Sequence, residues 1–320
     1  MTDLHTIVGD AFGAGAEIAF SARLPGGASR ETWALDVVTP GEGTHELILR
    51  LDSPGAALEA GAGLAAEATL MRAASDAGVP VPRIVSCGEA YILMTRVPGE
   101  TIPRKILRDD AYRAARPRLA AQCGRALAAI HRMPLSCVAQ DAVADDPLPR
   151  WRDVLDLLGE PHPVFELALR RLAASRPEGT RRTVVHGDFR NGNLIVGPEG
   201  IRAVLDWELA HAGDPLEDLG WLCVKAWRFG SPLPVGGFGG YGDLLDAYEE
   251  AGGQPVDRDA LRWWETFGVL KWGIICVMQT MRHLRGGARS VELAAIGRRV
   301  CENEWDLLGM LRERAENPLP

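Results

Sequence analysis

Up to about residue 97 the apolar positions come in short runs bounded by turn residues. Beyond it they mostly recur every three to four positions. "ETWALDVV" (31–38) and "HELILRLD" (45–52) are β-rich and flank "TPGEG", a turn cluster, so they are expected to pair as a hairpin. "AALEAGAGLAAEATLMRAASDAG" (56–78) carries helical periodicity and stops at Gly78, with Pro80 and Pro82 following. "RIVSCGEAYILMTRV" (83–97) predicts two more short strands with a turn near Gly88. Together these give a small antiparallel sheet packed by one helix. "VPGE" (97–100) breaks the pattern, and helical stripes then predict helices over 114–133, 165–175, 215–227, 241–252, 259–284 and 292–316. Only "RTVVHGDF" and "NLIVGPEGIRAVLDW" interrupt them with strand-like runs. The glycines of "SPLPVGGFGGYG" (231–242) predict a flexible loop. The expectation is an α+β chain in two parts, a sheet-and-helix unit over 1–97 and a mainly helical unit over 98–320.

Composition narrows the classes. A chain of 320 residues, 47% hydrophobic and 24% charged, is ordinary for a globular protein with ample core, and its length favours two lobes over one. A formal charge of −8 argues against nucleic-acid binding, which needs a basic face to neutralise phosphates. The charge suits a cationic substrate, and solubility explains it equally well. The six cysteines form no CxxC pair and no metal-like spacing with His, which reads as free thiols in a reducing compartment. The N-terminus shows no basic head followed by an apolar run, and no apolar stretch is long enough to cross a bilayer. A cytoplasmic protein that binds neither membrane nor nucleic acid is expected; the oligomeric state is left open.

The chemistry concentrates in "VVHGDFRNGNLIV" (184–196), where an apolar strand runs into His186, Asp188, Asn191 and Asn193. The following runs, "NLIV" and "IRAVLDW", flank "GPEG" and are predicted to pair as a hairpin with Val196 facing Ile201. That register returns Asn193 to the level of Val204–Asp206 and so brings Asp206 beside Asn193, one loop from Asp188. Two carboxylates and an amide oxygen at one sheet end suit Mg²⁺, which takes few protein oxygens together with phosphates and water. His186 is read as a structural residue bonding neighbouring backbone.

H-G-D-x-x-x-x-N, His186-Gly187-Asp188 to Asn193, resembles the catalytic loop of the aminoglycoside phosphotransferase (APH) family, relatives of the protein kinases. The resemblance implies a two-lobed protein-kinase-like fold, an N-terminal nucleotide-binding lobe, and transfer of the γ-phosphate of ATP (or GTP) to a small-molecule hydroxyl. It implies that Asp188 takes the acceptor's proton, that Arg190 meets the transferred phosphate, and that Asn193 and Asp206 hold Mg²⁺. It implies a nucleotide site built from Gly26, Gly27 and Ser29 in the glycine loop, from Arg50 paired with Glu67, and from the hinge backbone between Met94 and Val97. Asp218 resembles the carboxylate that braces the catalytic loop through its backbone, while Glu208 and Asp214 stay open between metal site, helix cap and substrate contact. One departure stands out. The family places a lysine where this chain has Arg50, and no lysine precedes Lys105. An arginine fork can grip phosphate and carboxylate alike, but the replacement also raises the alternative of a catalytically silent nucleotide binder. The Gly-Gly-Ala-Ser loop, the Arg50 strand and "LDWELAHAGDP" look most like the subgroup related to kinase modules fused to acyl-CoA dehydrogenases, which points toward a metabolic hydroxyl compound. The acceptor itself is not specified.

Overall fold

The computed structural model describes the chain except residues 1–3, 25–29, 42, 53–62, 139–145, 179–180, 288, 317–320 and the side chains of 313–316. Helix α1 (Leu4–Phe12) leads into β1 (Glu17–Leu24), β2 (Arg30–Thr39) and β3 (Gly43–Asp52), then α2 (Leu64–Asp76), β4 (Ile84–Gly88) and β5 (Tyr91–Thr95). The strands form one antiparallel sheet in the order β1-β2-β3-β5-β4. The expected 31–38/45–52 hairpin is the β2–β3 pair, with Val37 opposite His45. Alternation along β3 assigns the two faces. Leu47 and Leu49 pack with Ile7 and Val8 of α1, whereas Ile48 and Met94 join the cluster around Met71 of α2. Arg50 shares the parity of Ile48 and therefore lies on the side of α2. Helix α2 ends where Gly78 adopts φ +84°; residues 56–62 of the predicted helix lie outside the described residues.

The rest is mainly helical: α3 (Pro103–Arg108), α4 (Arg116–His131), α5 (Pro147–Leu158) and α6 (Pro163–Ala174) precede four short strands, β6 (Thr183–Val185), β7 (Leu194–Gly197), β8 (Gly200–Val204) and β9 (His211–Gly213). Then come α7 (Leu216–Cys223), α8 (Tyr241–Glu250), α9 (Arg258–Leu284), α10 (Val291–Gly297) and α11 (Val300–Glu316). Strand β7 pairs with β8 in the predicted register, Val196 opposite Ile201, and β6 pairs with β9. No helix among the described residues is long and apolar enough to cross a membrane.

Two expectations are corrected. The single helix over 292–316 is two: α10 ends at Gly297, which lies so close to α9 that a Cβ there would overlap Thr280 Oγ1, and the chain turns at Arg298–Arg299 before α11 begins. The 231–242 segment is a packed element, with Val235 and Phe238 buried and a backbone pairing of Val235 with Gly239. Its glycines allow tight turns, Gly236 and Gly237 having φ of +52° and +81°.

Candidate active site

The loop after β6 is held from beneath by one buried carboxylate. Asp218 on α7 accepts from the backbone N–H of His186 (2.7 Å) and of Gly187 (2.9 Å). His131 Nε2 lies 3.2 Å from the same carboxylate, and His131 Nδ1 lies 2.9 Å from the Tyr248 hydroxyl. Burial works against the Asp218 charge, but the His131 bond and the backbone donors keep its carboxyl below the usual range. Gly187 has φ +82°, and a Cβ there would meet the Leu209 carbonyl at 2.5 Å, so only glycine fits. His186 is fully buried, which holds its imidazole below the ordinary value and neutral. Its Nε2–H donates to the Leu205 carbonyl (3.0 Å) and its Nδ1 accepts from Asp188 N–H (3.3 Å). The structural role expected for it holds.

Asp188 then stands among donors. Trp221 Nε1–H (2.8 Å) and Arg190 Nε–H (3.0 Å) donate to its Oδ1, and the Asn193 amide donates to its Oδ2 (2.6 Å). The Arg190 guanidinium also lies over the Trp227 ring, 4.7 Å from its centre. Arg190 is thus aimed at Asp188 here. Asn191 anchors the loop to the 231–242 segment through its amide, which donates to the Gly236 carbonyl (2.8 Å).

The β7–β8 hairpin brings the next pair together. Leu205 N–H donates to the Asn193 carbonyl (2.8 Å), so Asp206 begins one residue from Asn193's level. Asp206 has φ +67°, a left-handed conformation that costs a non-glycine residue roughly 1–3 kcal/mol. Burial, and then the nearby Asp188 charge, push the Asp206 carboxyl above its ordinary value. Asn193 uses its amide nitrogen on Asp188, which leaves the amide oxygen as the atom able to face a cation. An amide oxygen and a carboxylate in an electronegative setting fit Mg²⁺ shared with phosphate oxygens. No cluster of three or more His, Cys, Asp or Glu able to hold a metal occurs among the described residues.

Across a cavity of about 630 Å³ stands the sheet side. Glu67 of α2, at 0% exposure, accepts from two arginines, Arg50 and Arg30 (2.5 Å for Arg30). The predicted Arg50–Glu67 pair is present, and Arg50 lies 3.9 Å from Asp206. Arg30 went unrecognised because it borders the glycine loop and reads as one more surface cation; it also contacts Asp52 (3.1 Å) and Glu208 (3.5 Å). Met94 and Val97 line the same cavity with Ile48, Met71, Asn193 and Asp206. Gly26, Gly27 and Ser29 lie outside the described residues. Of the two open acids, Glu208 lines the cavity, its carboxyl raised by burial and then by Asp206. Asp214 accepts from Leu216 N–H (2.9 Å) at the start of α7, a capping contact. Trp221, like Arg30, was missed: an indole in "EDLGWL" gives no sign from spacing alone that it reaches a carboxylate 33 positions earlier.

Residues 22–264 match the model of a family described as the phosphotransferase enzyme family, APH. Among curated proteins, mouse acyl-CoA dehydrogenase family member 10 is 31% identical over 206 residues, 60% of this chain and 19% of that protein. Probable acyl-CoA dehydrogenase IBR3 of Arabidopsis thaliana is 26% identical over 62% of this chain and 27% of its own. The chain therefore spans about a fifth to a quarter of the length of these relatives. Among solved structures, a candidate aminoglycoside phosphotransferase from Ralstonia eutropha superposes with TM-score 0.70 at 24% identity, over 91% of each chain. The macrolide 2'-phosphotransferase of Brachybacterium faecium superposes with TM-score 0.65 at 20% identity, over 92% of this chain and 97% of its own. These likenesses show the two-lobed, protein-kinase-like fold.

Proposed function

The chain belongs to the phosphotransferase enzyme family, and we propose that it is an ATP-dependent small-molecule kinase that moves the γ-phosphate to a substrate hydroxyl. The observation that carries this reading is a cavity lined by Asn193, Asp206, Arg50 and Arg30, with Asp188 hydrogen-bonded to Asn193 and Glu67 paired with both arginines. Phosphoryl transfer asks the protein for positioning and charge neutralisation more than for covalent chemistry, and these groups supply both.

In this reading the adenine lies against the Met94–Val97 hinge, with the phosphates facing Arg50. Asn193 and Asp206 hold Mg²⁺, which supplies neutralisation of phosphate charge. Asp188 orients the acceptor alcohol and takes its proton as the new O–P bond forms and ADP leaves. Arg190 turns from Asp188 to the moving phosphoryl group, which frees a carboxylate lone pair for the alcohol. Nucleotide use is supported by fold relatives, one of which is an APH(2")-IIa solved as a ternary complex with streptomycin and ATP. For the acceptor we propose a hydroxyl-bearing acyl thioester, supported by the names of the curated relatives, which are acyl-CoA dehydrogenase family members. GTP is the alternative phosphate donor in this reading. The domain division at residue 97 is part of the same proposal.

The test is nucleotide consumption with Mg²⁺ against a panel of hydroxyacyl-CoAs, simple alcohols and aminoglycosides. Turnover stimulated by one class, and abolished in Asp206→Ala that remains folded, supports the reading. A native protein that binds Mg-ATP without hydrolysing it, alone or with any acceptor, contradicts it in favour of a silent nucleotide binder.

A further inference from the structure

The loop carrying Asp188 has a second buried support that the chemistry above does not use. Lys271 is one of three lysines in a chain whose basic residues are otherwise arginine. It lies in the middle of α9 at 6% exposure. Its ammonium donates to Glu217 Oε1 (3.0 Å) and to the carbonyl of Gly187 (3.3 Å). It also stands 4.8 Å from the centre of the Trp221 ring. That indole's N–H is the one that reaches Asp188 Oδ1 at 2.8 Å. The ammonium therefore touches Asp188's surroundings twice, through the peptide just before it and through the indole bonded to its carboxylate.

An ammonium is costly to bury, so its contacts indicate what keeps it there. Glu217 neutralises it, but Glu217 is shared with His211 (3.1 Å), whose imidazole is raised because Glu217's charge outweighs the effect of burial. Glu217 thus has two partners, and neutralising it does not require the Lys271 ammonium to reach Gly187 and Trp221 as well. What Lys271 adds is its position. With Asp218 holding the Gly187 N–H and Lys271 its carbonyl, both peptides flanking Gly187 are fixed in orientation. A cation on an indole face draws π-electron density toward itself and leaves the ring N–H a stronger donor.

We propose that Lys271 is a positioning residue for phosphoryl transfer: through the Trp221 indole and the Gly187 carbonyl it fixes the Asp188 carboxylate in the orientation that faces the acceptor hydroxyl. The inference rests on the kinase reading for its consequence, but the physical coupling can be measured apart from turnover. Lys271→Met keeps the length and removes the charge. Its kcat should fall about tenfold or more, the scale of one lost hydrogen bond to a charged group, with the Mg-ATP KM little changed. Lys271→Arg should recover part of the rate. Trp221→Phe should lose a similar factor, and the double variant should lose less than the product of the two, because both act along one route.

Independently, the Trp221 indole N–H resonance in ¹⁵N-labelled protein, assigned by its disappearance in Trp221→Phe, should move upfield in Lys271→Met. If Lys271→Met does not fold, Lys271→Gln, which also removes the charge, carries the same readouts. An indole resonance that stays in place, or a rate loss that follows only the folded fraction, overturns the proposal. A native protein without turnover overturns the kinase reading, and the indole comparison then decides the coupling by itself.

Discussion

Glu67 is the most demanding charge in the cleft, because at 0% exposure it relies on two arginines that are themselves only 11% (Arg30) and 17% (Arg50) exposed. Removing either arginine leaves the carboxylate one guanidinium. Arg50→Ala and Arg30→Ala should therefore each cost about 1.5 kcal/mol, the lower end for a hydrogen bond to a charged group. Removing both strands a buried carboxylate, a defect that typically costs ~3–5 kcal/mol. The double variant should accordingly lose about 5 kcal/mol, exceeding the sum of the singles by a coupling of about 2 kcal/mol. Urea unfolding of the four proteins at pH 7 measures this directly, and Mg-ATP titration of the same samples separates stability from binding. Only Arg50→Ala should weaken nucleotide binding or slow transfer strongly, with Arg50→Lys recovering part, since the charge survives and the fork does not. Additive single effects would refute the shared-carboxylate reasoning. Unchanged nucleotide affinity and turnover in Arg50→Ala would remove Arg50 from the phosphate site.

Two further outcomes follow from the loop supports. Gly187→Ala must either abandon φ +82° or drive its Cβ into the Leu209 carbonyl, so it should cost about 1–3 kcal/mol or more in urea unfolding and abolish nearly all turnover. His211 is held above its ordinary value of 6.5 by Glu217 despite burial. Its ion pair therefore contributes fully below about pH 6.5, and that contribution is lost as pH rises through the raised value. In His211→Gln the corresponding decline of Tm with rising pH should disappear; an identical pH–Tm curve in the two proteins would show that the pair contributes nothing.

Much of this was legible from spacing. The "GPEG" turn sets Val196 opposite Ile201, and a one-residue irregularity beyond that pair carries Asn193 to the level of Leu205, next to Asp206. Arg50 and Glu67 were readable as a pair from the family resemblance, and strand parity, which puts Arg50 on the side of α2, is the physical reason they meet. What escaped has a common physical cause. Arg30, Trp221 and Lys271 join the site through tertiary contacts between segments 33 to 84 positions apart, and no local period announces such contacts. Helix α5 was different: Asp146 accepting from Leu148 N–H, with Pro147 at the first turn, is a start signal present in the sequence. Helix α1 is short and leans on the sheet for its stability, burying only Ile7 and Val8. The 231–242 segment was misjudged because glycine content signals turn-forming freedom, and packing around Val235 and Phe238 decides whether that freedom is used.

The central claim is that Asp188 takes the acceptor's proton while the metal rests on Asn193 and Asp206. Asp188→Asn keeps the shape of the side chain, and positioned proton transfer contributes ~10²–10⁴-fold, so kcat should fall by about that factor. Mg-ATP affinity should barely change. The measurement is kcat and Mg-ATP affinity side by side in the native protein and Asp188→Asn. A large loss of kcat at constant affinity is the predicted result; equal turnover in the two proteins, or a fall in affinity that tracks the rate, would contradict it.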